Sequence, residues 1–304
     1  MHMRFSAALL LLLFLFTPAQ AEPPAPTSEN QQEGILRWVG CGITKKAFMS
    51  ALAKAYEKKY GLTIQIEGGG ATRGIRDVLA GHADLGGACR TPLPANALEA
   101  AVNLYPIAWD ALVVIVHPDN PLENITLQQL HDVYAGKLRY WDELDGNLPH
   151  ERIRLFVRQG KISGVGYTLR QKLFADTTVD FPADHVFKSS GPLEKALEQD
   201  PWALGVTGIS SASKRNLKMV SLNGLEPTYE NIRSGEYLMY RPLYLTYNST
   251  HGNYHLIRRF IAFAHSKEGQ RIVRENGVVP YMDAIDLLQV QTRERNDLLS
   301  RIRQ

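Results

Sequence analysis

The chain has 304 residues, 44% of them hydrophobic and 21% charged, which describes a globular protein with room for two ordinary domains or one large one. A formal net charge of +3 is too small to argue for nucleic acid or an acidic membrane surface as a partner.

Met1 to Arg4 carry positive charge, residues 7–16 are almost purely apolar, and Ala19-Gln20-Ala21 is a small-x-small cleavage site. That is the pattern of a secretory signal peptide over residues 1–21. The apolar stretch is shorter than the ~20 residues a membrane-spanning helix needs. No cysteine follows the cleavage site, so no lipid anchor is expected. Residues 22–33, rich in proline and polar side chains, read as a disordered leader. The mature chain is expected outside the cytoplasm and not inserted in a membrane.

Ile35 to Val39 is a short apolar run that ends in "GCGIT". Phe48, Leu52, Ala55 and Tyr56 then recur at helical spacing until Gly61 closes the helix. "LTIQI" alternates as a strand does and stops at a glycine triplet. Thr72 is expected to precede a helix carrying Ile75, Val78 and Leu79. "ADLGGA" reads as another strand, and "ALVVIVHP" (111–118) as a buried one by its β-branched run. "TLQQLHDVYAG" is a helix capped by Thr126. "IRLFVRQG", "ALGVTGIS" and "RPLYLTYN" (241–248) read as strands; "YTLRQKLF", "PLEKALEQD", "YHLIRRFIAFAHS" and "KEGQRIVRENG" read as helices. The C-terminal "RERNDLLSRIRQ" is a basic, solvated helix face. The alternation predicts an α/β protein with mostly parallel sheets.

Three units repeat one design, a strand, a Gly-rich loop and a helix N-terminus: "RWVGCGIT", "IQIEGGGAT" and "LFVRQGKISGVG". Helix N-termini offer unpaired N–H groups and a positive dipole end, and glycine lets backbone approach a ligand. With Arg73, Arg90, Arg158 and Lys161 nearby, the three loops predict a site for a small anion. Neither GxxxxGK[ST] nor GxGxxG occurs, which excludes the usual nucleotide cradles. No nucleophile, base and orienting group can be drawn together from these loops, so an enzyme is not expected. Cys41 and Cys89 lack the spacing of a zinc or haem site, and no metal or cofactor is expected. His82 is expected on the surface, Asp84 in turn hydrogen bonding, and the tryptophans in the core.

The stretches "EGGGATRGIRDVLAGHADLGGACR", "YPIAWDALVVIVHPDNPLENITLQQLHDVYAGKLRYWDEL", "RPLYLTYN" and "FIAFAHSKEGQRIVRENGVVPY" resemble the periplasmic phosphate-binding proteins of ABC importers, a branch of the type II solute-binding proteins. The resemblance covers residues 35–281. It implies a two-lobed α/β fold with a ligand cleft between the lobes and two crossover strands, at 111–118 and 241–248. Lobe 1 would comprise residues 34–113 and 245–304, with lobe 2, residues 114–244, inserted. It also implies a periplasmic monomer that closes by a hinge and hands a small inorganic anion, phosphate foremost, to an ABC permease. The alternative is a sensory receptor for a thiophilic or other oxyanion, such as arsenite, that partners a membrane kinase.

By the same resemblance, the ligand contacts fall on Thr44 and the Lys45 amide, on Ala71 with Thr72 beside it, on Cys89 and Arg90, on Arg158 as the anchoring charge, and on Ser163, Gly164 and Val165. Ala71, Cys89 and Val165 depart from the family's hydroxyl and carboxylate pattern. Cys41 and Cys89 would end neighbouring strands ~4.8 Å apart, which makes them a disulfide candidate. Two free thiols would instead make a soft site, and two inert cysteines are the third outcome.

Overall fold

The computed structural model describes residues 34–290, 292 and 293. The expected signal peptide, the leader and all but the first residue of the basic C-terminal run lie outside the described residues. In chain order the strands are β1 (Ile35–Gly40), β2 (Thr63–Gly68), β3 (Leu85–Ala88), β4 (Asn103–Val116), β5 (Asn124–Ile125), β6 (Arg154–Arg158), β7 (His185–Phe187), β8 (Ala203–Gly208), β9 (Lys218–Leu222), β10 (Tyr240–Tyr247) and β11 (Val279–Pro280).

The order β2-β1-β3-β10-β4-β8-β6-β7 runs through two sheets that share one strand. β4 explains this. It is 14 residues long, and its run of ten buried residues, Ile107 to Val116, suits a strand covered on both faces. Residues Asn103 to Ala111 pair antiparallel with β10, while Leu112 to Val116 pair antiparallel with β8. The strand therefore begins in one lobe's sheet and ends in the other's. It starts eight residues before the segment expected from its β-branched run, because "NLYPIAW" lacks such a run yet finds β10 as a partner. The sheets are mixed. β1, β2 and β3 are parallel to one another, as are β6, β7 and β8. The chain returns through β10, antiparallel to both β3 and β4.

The expected helices form, with earlier starts at the three loops. Residues 42–60 are one helical rod: a turn Gly42–Thr44, a π-helical turn Lys45–Met49 and an α-helix Ser50–Tyr60. The second helix is Gly70–Leu79 and the third-loop helix is Gly164–Phe174. Thr126 caps Leu127–Tyr134 through a capping box with Gln129. Trp38, Trp109 and Trp141 are fully buried and Trp202 partly so, while His82 is exposed. Asp84 accepts from Arg37 N at 2.7 Å and from Asn253 Nδ2 at 2.7 Å, so its carboxylate ties β1 to the C-terminal part of the chain.

Several glycines of residues 67–90 are packing residues. A β-carbon at Gly86 would lie 1.9 Å from Gly74 O, and one at Gly74 would lie 2.5 Å from Gly87 O. The second helix thus rests directly on β3 with no side chain between them. Thr246 of β10 adds a hydrogen bond to Gly74 O at 2.5 Å.

Candidate functional site

The first loop is closed by sulfur. Cys41 has extended backbone (φ −74°, ψ 148°) and caps the helix that follows. Its Sγ accepts from Thr44 N at 3.3 Å and lies 3.3 Å from Thr44 Oγ1. Thr44 Oγ1 donates to Cys41 O at 2.9 Å, and Lys45 N donates to the same oxygen at 3.1 Å. The hydroxyl of Thr44 and the amide of Lys45, expected to face a ligand, are thus engaged within their own turn.

At the second loop Gly70 takes φ +82°, a left-handed conformation that favours glycine. The helix starts there, two residues before Thr72, so Ala71 occupies its first turn and is buried. Thr72 Oγ1 donates to Ile162 O at 3.3 Å and accepts from Arg90 Nη2 at 3.2 Å. At the third loop Ser163 is the N-cap, its Oγ accepting from Gly166 N at 3.2 Å, and Gly164 and Val165 begin the helix, both buried.

These loops belong to two sheets and meet across the gap between the lobes. A β-carbon at Gly164 would lie 2.2 Å from Cys89 Sγ and 3.2 Å from Ala71 Cβ. Ala71 and Cys89 of one lobe therefore meet Gly164 of the other. Further links cross the same gap. Arg90 Nε donates to Ile162 O at 3.0 Å, Thr168 Oγ1 to Cys89 O at 3.4 Å, and Arg241 Nη1 to both Cys89 O and Gly164 O at 3.4 Å. Lys46 Nζ reaches Glu194 at 3.2 Å and Ser211 Oγ at 2.6 Å.

Of the four basic residues expected to form an anion site, three have other partners. Arg73 binds Glu67 and Asp77. Arg90, 3% exposed, grips Glu99 with both Nη atoms, at 2.8 and 3.1 Å. Lys161 binds Asp180 at 2.8 Å and the carbonyl of Thr178. Arg158 differs. It ends β6, its Nη1 donates to Phe187 O at 3.3 Å, and its Nε is buried with no partner. Burial holds its pKa below the ordinary guanidinium value, opposed by the Cys89 and Cys41 thiols, which lie within electrostatic reach.

The two cysteines are free, buried thiols, not the expected disulfide. The strands are neighbours, as foreseen, and Cys41 N donates to Gly87 O at 3.0 Å. But Gly40 stands opposite Gly87, so Cys41 follows into register with residue 88 and Cys89 lies one place further on. The Cys41 sulfur is meanwhile occupied in capping its helix. Burial alone would raise the Cys41 pKa; the neighbouring Cys89 thiol, hydrogen bonding with Thr44 and the charge of Arg241 outweigh it and bring it from 9.0 to about 7. The Cys89 thiol is pushed well above 9.0 by the neighbouring Cys41 thiol and by burial.

A buried ion pair that the sequence reading passed over lies beside them. Arg241 Nη2 binds Asp110 Oδ2 at 3.2 Å, and Asp110 Oδ1 accepts from Ser210 N at 3.2 Å. Burial raises the pKa of Asp110, with Arg241 opposing. The signal was present: Asp110 interrupts the apolar run of β4 and Arg241 stands near the start of β10. Single opposite charges in two buried strands call for each other. Among the described residues no cluster of three or more His, Cys, Asp or Glu could hold a metal ion.

The model of the PBP superfamily domain matches residues 25–268. The chain is 25% identical over 262 residues to the phosphate-binding protein PstS of Bacillus subtilis, covering 84% of this chain and 83% of that one. It is 26% identical over 290 residues to PstS of Pseudomonas aeruginosa, covering 86% and 88%. Among solved structures it resembles a putative phosphate ABC transporter substrate-binding protein with bound phosphate from Clostridium perfringens. There the TM-score is 0.69 at 25% identity, over 81% of this chain and 99% of that one. An ABC-type phosphate transport receptor from Vibrio cholerae shares the fold at a TM-score of 0.63 and 23% identity, over 80% and 99%.

Proposed function

This chain belongs to the PBP superfamily, and on that premise we propose that it is a solute-binding protein that captures phosphate and delivers it to an ABC importer. The observation that carries the reading is Arg158, whose buried Nε has no partner, which has no carboxylate partner among the described residues, and which lies within electrostatic reach of Cys41 and Cys89. A guanidinium so placed offers a fork of donors that matches a tetrahedral oxyanion. The first-turn amides of Ala71 and Thr72 and of Gly164 and Val165 lack intrahelical partners and complete the donor set with the Ser163 hydroxyl. Backbone N–H groups need no particular side chain, so Ala71 and Val165 can serve where the family pattern has hydroxyls. Cys89, neutral because its pKa is raised, contributes a weak S–H donor and no competing charge. Arg90, paired with Glu99, holds the loops in place and does not bind the anion.

With Cys89 Sγ against Gly164, the lobes in this structure are closed on one another, so the anion enters when they part. β4, which belongs to both sheets, and the adjoining β10 are the hinge. The chain acts as a carrier and not a catalyst, works as a monomer with an ABC permease as its partner, and reaches the periplasm after loss of residues 1–21.

Calorimetry with phosphate on the mature protein and on Arg158→Ala tests this. Removal of a charge-assisted contact of about 3 kcal/mol predicts affinity lowered about a hundredfold. Unchanged affinity would remove Arg158 from the site, and no binding by the unaltered protein would overturn phosphate as the ligand.

A further inference from the structure

The phosphate reading gives Cys41 no task and uses Cys89 only as a weak donor, yet the two thiols are the least ordinary feature of the pocket. Both are reduced and nearly inaccessible, at 5% and 2% exposure. They follow neighbouring parallel strands, and the Cys89 sulfur faces Gly164 across the gap where the anion would enter. The surroundings favour a thiolate. Cys41 Sγ takes the Thr44 N–H at the first turn of the helical rod 42–60, and Arg241 lies near both sulfurs. Asp110, whose charge reaches Cys89, is paired with Arg241. Arg158 adds a buried Nε with no acceptor. A pocket with two sulfur donors and an unsatisfied N–H suits a ligand that has both a soft centre and an oxygen.

We propose that Cys41 and Cys89 make this pocket a dithiol site for the oxyacids of trivalent arsenic and antimony, which bond to both sulfurs and turn their remaining oxygen to Arg158. The inference rests on the reading of this pocket as the ligand site, though not on phosphate itself being the ligand. Thiolates select soft centres, whereas a hard phosphate gains little from sulfur. The Cys41 thiolate attacks first, because its environment holds the charged form. In the overall step arsenous acid, As(OH)3, loses two As–O bonds and forms two As–S bonds. The two thiol protons leave with the two hydroxyl groups as two molecules of water. The product is a bis-thiolate As–OH, and arsenic stays trivalent, so no oxidant or reductant is needed. The third hydroxyl oxygen accepts the Arg158 hydrogen bond.

The test uses the full mature chain, reduced with a phosphine and freed of small molecules. Sodium arsenite is added, the protein is desalted, and thiols are counted after denaturation alongside native mass spectrometry. Expected are loss of both titratable thiols and a mass gain of one AsOH less two hydrogens. Cys41→Ser preserves a capping oxygen, and its thermal melt reports folding; folded Cys41→Ser should lose the adduct, as should Cys89→Ser. Phosphate in excess should slow adduct formation if both ligands use one pocket. Two thiols still titratable, or only one blocked, overturns the dithiol site and leaves the phosphate reading intact. An adduct that forms on both thiols in a protein that calorimetry shows not to bind phosphate sustains the dithiol site and fails the phosphate reading. An adduct on both thiols with no effect of phosphate, in a protein that does bind phosphate, places the thiols outside the ligand pocket and overturns the proposal.

Discussion

Gly164 and Cys89 face each other across the lobes with no room for one more carbon: a β-carbon at residue 164 would sit 2.2 Å from Cys89 Sγ. Gly164→Ala therefore tests closure without testing the fold. The position is in a helix first turn, where alanine is favourable, so the melting temperature should hold or rise. The lobes would close only against an overpacking cost of about 1–3 kcal/mol. Phosphate affinity should fall by about tenfold to a hundredfold, and calorimetry with small-angle scattering reads both effects. Unchanged affinity would mean that the closed contact is not part of binding.

Lys46→Met probes the second tie between lobes. Lys46 is partly exposed and reaches the buried Glu194, which also accepts from Thr207 Oγ1 at 2.7 Å, Ser211 Oγ at 2.5 Å and Arg215 Nε at 3.3 Å. Loss of Lys46 should cost no more than about 1 kcal/mol of stability, because Glu194 keeps its other donors. It should enlarge the radius of gyration of the ligand-free protein. Glu194→Ala is expected to behave differently and destabilise by about 3–5 kcal/mol in urea, since it strands several buried donors.

Glu99 sets an acid limit. Burial alone would raise its pKa, but Arg90, the Leu93 amide and Arg76 bring it below 4.5. In the window below 4.5 the unfolded chain binds the proton more readily than the folded one. The contribution of Glu99 is therefore complete at neutral pH and is lost as pH falls through the folded value. Glu99→Gln should flatten the slope of stability against pH in that window. It should also lower stability at pH 7 by about 3–5 kcal/mol, because Arg90 is left buried and unpaired. Urea midpoints between pH 3 and 7 check this.

The thiols should titrate far apart. Thiolate absorbance near 240 nm is expected to rise by one group at about pH 7 and by the second only well above 9. Cys89→Ser should shift the first inflection upward, because the neighbouring thiol helps to lower the Cys41 pKa. Two coincident inflections near 9 would remove the polarised pair.

The strands and helices were legible where periodicity was strong, and the Thr126 cap was legible from the identity of one residue. The reach of β4 was not. "NLYPIAW" carries no strand pattern of its own and is held extended by β10, which lies more than a hundred residues away in sequence. The three Gly-rich loops were recognisable as a group, but which side chains remained free within them was not. Whether Arg90 or Arg158 keeps an open donor depends on Glu99, which sits in a short helical turn with no motif to mark it. The state of the cysteines turned on a one-residue register offset between β1 and β3, which sequence spacing does not reveal.

The return of the chain through β10 also fixes an order of events during synthesis. β3, at residues 85–88, and the first half of β4 are neighbours of a strand made of residues 240–247. A ribosome that has reached residue 200 has released both of these strands and not the one that lies between them. The lobe that begins first is thus the last to be completed, and for more than a hundred residues of elongation it carries two open strand edges. The nascent chain, more than the finished protein, is where self-association is to be expected, and slow translation of the inserted lobe would prolong that exposure.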